Sequence, residues 1–367
     1  MANQYNICVY AICKNEEEFV DRWMDSMREA DQIVVTDTGS TDGTVERLRA
    51  RGAVVLVEEI KPWRFDVARN RSLENVPEDV DICVCTDLDE VFEPGWRARL
   101  ETVWTPQSTM GRYRYNWSLK ADGTPDVHFS YFKVHTRKNY AWIYPVHECL
   151  RYVGEGTSNE IFIDGMVLNH YPDQTKSRGS YLPLLELGVR ETPEDGRMNF
   201  YLGREYFFGA RWQDCIATLQ RYLMLKRVTW EDERCAAMRL IARSYNYLGD
   251  RVQSRRWFLR AVAECVQMRE PYVEFTQAAY EWQDWILCLC MAEHAIAITE
   301  KSRTYISVGY AWDYTPHDLA GIASYRLGLY ERSLAHARNA LDLAPQDARL
   351  QNNLKCIEKR AKGIADK

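Results

Sequence analysis

Two aspartates that follow a short apolar run are the residues whose types and spacing point most directly to chemistry. Residues 82–85 have the length and apolar character of a buried strand, and Asp87 and Asp89 come directly after it. Alternate residues of an extended chain face the same side, and ligands of open α/β sheets gather at the carboxyl ends of strands. Two carboxylates on one side suit Mg²⁺ or Mn²⁺, whose other ligands are water and phosphate oxygens. The alternative is that both aspartates only cap the next helix.

The chain before these aspartates alternates between strand and helix patterns. The apolar runs that predict strands lie at residues 5–12, 33–36, 53–57 and 82–85. Apolar residues at helical spacing predict a helix over about residues 17–30, and Thr41 or Asp42 can cap a second helix. Strands and helices in this order predict a parallel sheet with right-handed crossovers.

Aromatic strand patterns replace this alternation after Asp89. A helix is predicted over residues 94–104. The strand patterns that follow it lie at residues 112–119, 128–136 and 140–152. They predict an antiparallel extension of the sheet, a usual place for contacts with a sugar and its acceptor.

Length and composition narrow the class of protein. A chain of 367 residues with 46% hydrophobic and 27% charged residues is expected to form two soluble globular domains. The net charge of −6 argues against a general nucleic-acid binder, which needs a basic surface. No apolar run approaches the ~20 residues of a membrane span, and the N-terminus lacks the basic region of a signal peptide. Eleven cysteines, mostly inside apolar runs and without a Cys-x-x-Cys pair, favour free thiols in a reducing cytoplasm.

Four short motifs occur in the first half of the chain. They are Lys14–Glu17, Asp37–Thr44, Phe65 with Ala68–Asn70, and Asp87–Glu90. In order and spacing they resemble the family 2 glycosyltransferases, whose GT-A fold is a Rossmann-like α/β architecture for nucleotide-diphospho-sugars. The resemblance covers about residues 5–180. It implies an enzyme that transfers a sugar from a nucleotide donor.

The resemblance also implies where the donor binds. The residues that would line the nucleoside pocket are Ala11, Cys13, Glu16 and Asp37. Arg69 would lie near the base or the diphosphate, and Asp87 and Asp89 would hold the ribose and the metal ion. The chemistry agrees, because carboxylates accept hydrogen bonds from a uracil N–H or a ribose hydroxyl, and a guanidinium binds phosphate. The alternatives are that Asp37 caps a helix and that Arg69 lies solvated on a helix face.

Two later segments complete the site that the resemblance implies. Glu148 would be the general base, and His170 would be the third metal ligand beside Asp87 and Asp89. Inverting transfer requires one base that deprotonates the acceptor as it attacks the anomeric carbon from the face opposite the diphosphate. His147 could take the place of either residue. The alternative for His170 is a hydrogen-bonded structural histidine.

From about residue 181 the strand patterns end and internal repeats begin. Gly249 and Gly328 occupy equivalent positions in two copies of a pattern similar to the tetratricopeptide repeat. We therefore expect a GT-A domain over residues 1–180 and an all-α, tetratricopeptide-like domain over residues 181–367. The concave face of such repeats could hold a peptide acceptor or a second subunit in a homodimer.

Together these patterns predict a cytoplasmic, metal-dependent inverting glycosyltransferase. It would use Mn²⁺ or Mg²⁺ and transfer a hexose or N-acetylhexosamine from a UDP-sugar to a peptide, a protein or a glycan. Lys176 or Arg178 could assist the departure of the diphosphate. The alternative is a catalytically silent scaffold that binds a nucleotide sugar and whose repeats bind a partner protein. A sugar-1-phosphate nucleotidyltransferase is disfavoured because residues 13–16 contain no glycine.

Overall fold

The computed structural model describes residues 4–173, 179, 181–302 and 304–365. The chain divides into two compact units, Met1–Glu191 and Thr192–Lys367. The expected domain boundary lay at residue 180, and the helix that follows it is part of the first unit. Within the described ranges, no helix has both the length and the apolar character needed to cross a membrane.

A mixed eight-stranded sheet forms the centre of the first unit. Its parallel half consists of β1 (Ile7–Cys13), β2 (Gln32–Asp37), β3 (Val54–Val57) and β4 (Ile82–Cys85), in the order β3-β2-β1-β4. Cys13 pairs with Asp37, and Tyr10 pairs with Cys85, so the carboxyl ends of three strands lie at one edge. The predicted parallel sheet is therefore present.

The second half of the sheet is mixed rather than purely antiparallel. Its strands are β5 (Glu90–Phe92), β6 (Met110–Leu119), β7 (Pro125–Thr136) and β10 (Glu160–His170). β7 is antiparallel to β4 and β6, as expected, but β10 runs parallel to β6. The pattern at 140–152 forms two strands, β8 (Tyr140–Ile143) and β9 (Cys149–Tyr152), which pair as a separate hairpin around the turn at residues 144–148.

Helices cover both faces of the sheet. They are α1 (Val20–Met27), α2 (Thr44–Ala50), α3 (Phe65–Glu74) and α4 (Trp96–Val103). The last helix of this unit, α5 (Tyr181–Glu191), contacts Phe65 of α3 through Tyr181. All seven residues of β1 are buried, because alternate side chains enter two different cores. Val9 packs in the core that contains Trp23, whereas Tyr10 packs with Leu73 and Trp142 in the other.

The described residues of the second unit form helices and no strand. Its helices are α6 (Gly196–Phe208), α7 (Trp212–Met224), α8 (Glu231–Tyr247), α9 (Arg251–Glu264), α10 (Glu270–Glu281), α11 (Trp285–Ala297), α12 (Thr315–Arg326), α13 (Tyr330–Leu343) and α14 (Ala348–Ala365). Consecutive helices pack against each other. Gly249 and Gly328 follow α8 and α12 with φ of 79° and 78°, a conformation that favours glycine. Their equivalent conformations agree with the repeat alignment.

The segment between α11 and α12 crosses the faces of α8 and α10. Tyr310 donates a hydrogen bond to Glu274 (2.7 Å), and Ser307 donates one to Glu270 (2.7 Å). Tyr305 donates another to Glu233 of α8. In its described residues, 298–302 and 304–314, this segment contains no α-helix, and three of its hydroxyl groups pair with acidic side chains of α8 and α10.

Candidate active site

Asp37 ends β2 and is fully buried. Its Oδ1 accepts hydrogen bonds from the backbone N–H groups of Gly39 (3.0 Å) and Ser40 (2.9 Å). Its Oδ2 accepts from the hydroxyl of Ser40 and from the thiol of Cys13 (3.4 Å). Asp37 therefore shapes the loop after β2, and its contact with a base or ribose stays a prediction.

The motifs Lys14–Glu17 and Asp37–Thr44 are hydrogen-bonded to each other at the edge of the sheet where β1 and β2 end. The backbone N–H of Asn15 donates to the Ser40 hydroxyl (2.8 Å), and the Asn15 side chain accepts from the N–H of Thr41 (2.7 Å). The N–H of Glu16 donates to the hydroxyl of Thr44 (2.8 Å). These contacts explain why the second motif is rich in Ser, Thr and Asp and why the first contains Asn15, since such side chains hold loops by bonding the backbone.

The residues predicted to line the nucleoside pocket lie together but expose little surface. The set is Ala11, Cys13, Glu16 and Asp37, and all four are buried. The carbonyl of Ala11 accepts a hydrogen bond from Ser72 of α3 (2.8 Å), which fixes that helix against β1. Their role in a nucleoside pocket stays a prediction.

Arg69 lies between the two carboxylates that the sequence assigns to different roles. Its Nη2 is 2.7 Å from Asp87 Oδ1, and its Nε is 2.5 Å from Glu148 Oε1. Lys133 Nζ contacts the other oxygen of Asp87 at 3.0 Å. Burial alone would raise the pKa of Asp87, but Arg69 and Lys133 outweigh it and hold this pKa well below its ordinary value. Asp87 is thus an anion paired with two cations.

Asn70 positions the hairpin turn that carries Glu148. Its side-chain amide donates to the Trp142 carbonyl and accepts from the Trp142 N–H, both at 2.8 Å. The N–H of Phe65 donates to the carbonyl of Pro145 (3.0 Å), and Arg69 lies 5.1 Å above the Trp142 ring. The third motif therefore fixes the turn at residues 144–148 against α3, which brings Glu148 to Arg69.

Lys133 and Glu90 are buried members of the site to which the sequence analysis assigned no role. Only 4% of Lys133 and 2% of Glu90 is exposed, and Lys133 Nζ lies 3.5 Å from Glu90 Oε2. The same oxygen accepts from the N–H of Asp87 (2.9 Å). Burial raises the pKa of Glu90 despite the opposing effect of Lys133. A single lysine in an aromatic strand pattern indicates a solvated side chain. The role of Lys133 as a buried partner of Asp87 therefore becomes visible only from the position of β7 beside β4.

Asp89 and His170 are brought together by the pairing of β5 with β10. Asp89 Oδ2 lies 3.3 Å from His170 Nε2. His170 Nδ1 is 3.0 Å from the carbonyl oxygen of Trp117, so Nδ1 carries a proton and Nε2 is directed towards Asp89. A hard oxygen and an imidazole nitrogen, with the imidazole oriented by a backbone carbonyl, fit a divalent cation.

The Asp89–His170 pair is not part of a larger ligand cluster among the described residues. In the described part of the chain, no three His, Cys, Asp or Glu side chains gather closely enough to hold a metal ion. Asp87, the other predicted ligand, instead contacts Arg69 and Lys133. Lys176 and Arg178, which were expected near the diphosphate, lie outside the described residues.

A hydrogen-bonded chain behind the site keeps His135 neutral. The Trp142 indole N–H donates to the Tyr10 hydroxyl, which in turn donates to His135 Nε2, each at 2.8 Å. His135 Nδ1 donates to the carbonyl of Thr136 (2.8 Å). Burial lowers the pKa of His135 to about 4, and a proton on Nε2 would oppose the Tyr10 donor.

Through His135, acid is expected to remove about 3 kcal/mol from the free energy of unfolding of the α/β unit. The unfolded chain binds this proton below pH 6.5, whereas the folded unit resists it until about pH 4. The stabilisation is therefore complete above pH 6.5 and is lost as the pH falls through 4. Urea titrations at several pH values, followed by hydrogen exchange of β7 amides, measure it. His135→Gln should flatten the dependence by this amount, and an unchanged slope would contradict the assignment.

The fold and the site define an α/β domain with a mixed sheet, followed by an all-helical domain. Residues 8–149 match the family described as Glycosyl transferase family 2. This part of the chain is therefore a family 2 glycosyltransferase domain. No curated protein sequence matches the chain.

Solved structures resemble parts of the chain. MamA 41-end from Desulfovibrio magneticus RS-1 is 12% identical, with a TM-score of 0.37, and the match covers 46% of this chain and 85% of that one. The APC/C hetero-tetramer Cut9–Hcn1 is 13% identical, with a TM-score of 0.38, and the match covers 49% of this chain and 33% of that one. A third structure is glucosyl-3-phosphoglycerate synthase from Mycobacterium tuberculosis, solved with Mn²⁺, UDP and glucosyl-3-phosphoglycerate. It is 26% identical, with a TM-score of 0.27, and the match covers 30% of this chain and 44% of that one.

Proposed function

We propose that the protein is a metal-dependent inverting glycosyltransferase that uses a UDP-sugar donor. The transferred group is a hexose or N-acetylhexosamine, and the acceptor is a hydroxyl of a peptide, a protein or a glycan. The observation that carries the proposal is the Asp89–His170 pair at the carboxyl edge of a family 2 glycosyltransferase domain. Its eleven cysteines are free thiols, which fits the cytoplasm as its compartment.

Asp89 and His170 would hold the Mn²⁺ or Mg²⁺ ion, with water and diphosphate oxygens as further ligands. When bound, the ion offsets the negative charge that develops on the leaving diphosphate. Asp87 is assigned to the ribose, because Arg69 and Lys133 already compete for its oxygens. Its predicted role as a metal ligand is secondary in this proposal.

Glu148 would remove the proton from the acceptor hydroxyl. The acceptor oxygen then bonds to the anomeric carbon from the face opposite the diphosphate, and the bond between that carbon and the diphosphate oxygen breaks. UDP leaves with the electron pair of the broken bond. Arg69 orients Glu148 through the 2.5 Å contact to its Oε1.

Asp89→Asn is expected to abolish the increase in UDP affinity that Mn²⁺ causes. The amide lacks the charge that binds the cation, whereas UDP binding without metal should stay unchanged. Isothermal titration with UDP, with and without Mn²⁺, measures both affinities. Asp79→Asn, an exposed aspartate before β4, is the matched control and should behave as the natural chain does. Equal stimulation by Mn²⁺ in Asp89→Asn would exclude Asp89 as a ligand.

A silent nucleotide-sugar-binding scaffold is the second candidate. The observation that favours it is that Asp87 and Glu148 are both paired with Arg69. A UDP-release assay over several UDP-sugars separates the two candidates. Binding of UDP with Mn²⁺ but no UDP release, with water or with any offered acceptor, would favour the scaffold, whose repeats would then bind a partner protein.

A further inference from the structure

The outer side of α9 combines cationic and apolar side chains. Residues 251–263 contain four arginines and no acidic residue, in a chain whose net charge is −6. Val252 and Leu259, seven residues apart, are 77% and 52% exposed. Arg256 and Arg260 are exposed beside them. The buried side of α9 already packs within the helical unit. Its solvent-exposed side nevertheless carries apolar side chains next to cationic ones.

A depression of about 580 Å³ continues this stripe towards α7. Its apolar walls are Leu223, Met224, Met238 and Trp257, and Arg221 and Arg260 also line it. Arg260 lies 4.5 Å above the Trp257 ring, and it also lines the shallow groove beside Val252 and Leu259. The two regions therefore form one continuous surface. We define the α9 surface as Arg221, Met224, Val252, Arg256, Leu259 and Arg260.

We propose that the α9 surface binds the anionic phospholipid surface of a membrane. Guanidinium groups pair with phosphate, and they remain charged at every physiological pH. The apolar side chains beside them would enter the layer between headgroups and acyl chains. Charge complementarity and apolar insertion together give the two signals that a stable peripheral attachment requires.

Other occupants of the α9 surface fit the observations less well. A twofold contact between two copies would bring the arginine-rich surface of one copy against the same surface of the other, and such like-charge contacts oppose association. An acidic protein segment would satisfy the arginines. However, Met224 and Val252 are 84% and 77% exposed, so the depression and the groove that they line are open and both side chains project outward, unlike those of a closed pocket for partner side chains. Projecting apolar groups suit shallow insertion into a lipid layer.

Co-sedimentation of the full chain with lipid vesicles tests the proposal. We expect binding to mixed phosphatidylcholine–phosphatidylglycerol vesicles and at least about tenfold weaker binding to pure phosphatidylcholine vesicles. Added salt should weaken the binding to the anionic vesicles. No binding to the anionic vesicles, or equal binding to both kinds, would overturn the proposal.

Two variants locate the attachment. Arg256→Gln with Arg260→Gln should weaken anionic-vesicle binding about twenty-five-fold, since each arginine near the surface contributes about a factor of five. Val252→Ser with Leu259→Ser should weaken it at least about tenfold. The matched control, Arg332→Gln with Arg338→Gln on α13, removes the same charge and should change binding less than about threefold.

Two results of these measurements would contradict membrane binding by the α9 surface. If the control and the α9 variants lose binding equally, only net charge matters and the proposal fails. A synthetic acidic amphipathic helix tests for a protein partner. If this helix binds the natural chain but not the α9 variants, and vesicles do not bind the chain, the surface serves a protein partner and the proposal fails. None of these readouts depends on transferase activity.

Discussion

Turnover of UDP-sugar by Glu148→Gln is expected to fall at least about a hundredfold, while donor affinity stays nearly unchanged. Glutamine cannot accept the acceptor proton, but its side-chain oxygen can still accept the hydrogen bond that Arg69 donates to Oε1. The substitution therefore separates the two roles of this side chain. A purely structural partner of Arg69 would tolerate it, whereas a general base would not.

UDP-release rates at saturating donor and acceptor, with isothermal titration for affinity, measure the effect. The pH profile of kcat adds a readout that a structural role would not move, because loss of the base removes the acidic limb of the profile. Glu155→Gln, an exposed glutamate after β9, is the matched control and should keep its turnover and profile. Near-normal turnover in Glu148→Gln would remove Glu148 from the role of base, and His147 would be the next residue to test.

The parallel half of the sheet could be predicted because its signals are local. Buried parallel strands are short apolar runs, and the helices between them show apolar residues at helical spacing. The mixed half gave weaker signals. β5 has three residues, too few for a pattern, and the aromatic run at 140–152 hides the turn that separates β8 from β9. That turn carries Glu148. The position of Glu148 therefore depends on an interruption between two strands that the periodicity of the sequence does not reveal.

The charged groups of the site show a second limit of sequence reasoning. Asp87 and Asp89 have a local signal, since they end a strand pattern. The cations that surround Asp87 come from α3 and β7, and nothing in the sequence near Lys133 indicates burial. Likewise, Asp89 and His170 are far apart in the chain, and only strand pairing explains their 3.3 Å contact. Family resemblance, not spacing, was the source of the His170 prediction.

These contacts also bear on how the site would change when a donor binds. Arg69 is shared between Asp87 and Glu148, so a ligand that draws Asp87 away would leave Arg69 with Glu148 alone. The residues proposed to bind the ribose and to act as the base, Asp87 and Glu148, are thus connected through one guanidinium. Arg69→Lys breaks this link because an ammonium cannot present two fixed N–H groups to separate carboxylates.

In the helical unit, Glu274→Ala is expected to lower the free energy of unfolding by about 3–5 kcal/mol. Glu274 is 2% exposed and accepts two hydrogen bonds from Arg239, at 2.6 and 3.0 Å. Burial opposes its charge, but Arg239 and Arg243 lower the pKa of Glu274 to about 2. Removal of the carboxylate leaves the buried Arg239 without its counter-ion, and it also removes the acceptor of the Tyr310 hydroxyl.

Urea titration followed by hydrogen exchange of α8 and α10 amides measures this loss in the helical unit. The double variant Arg239→Met with Glu274→Leu should be markedly more stable than Glu274→Ala, since apolar pairs replace buried ion pairs at little cost. Glu281→Ala, an exposed residue of the same helix, is the matched control and should cost less than about 1 kcal/mol. If Glu274→Ala costs no more than Glu281→Ala, the buried pair does not hold the segment between α11 and α12 against α10. If the double variant is as unstable as the single one, the loss comes from the Tyr310 contact rather than from an uncompensated charge.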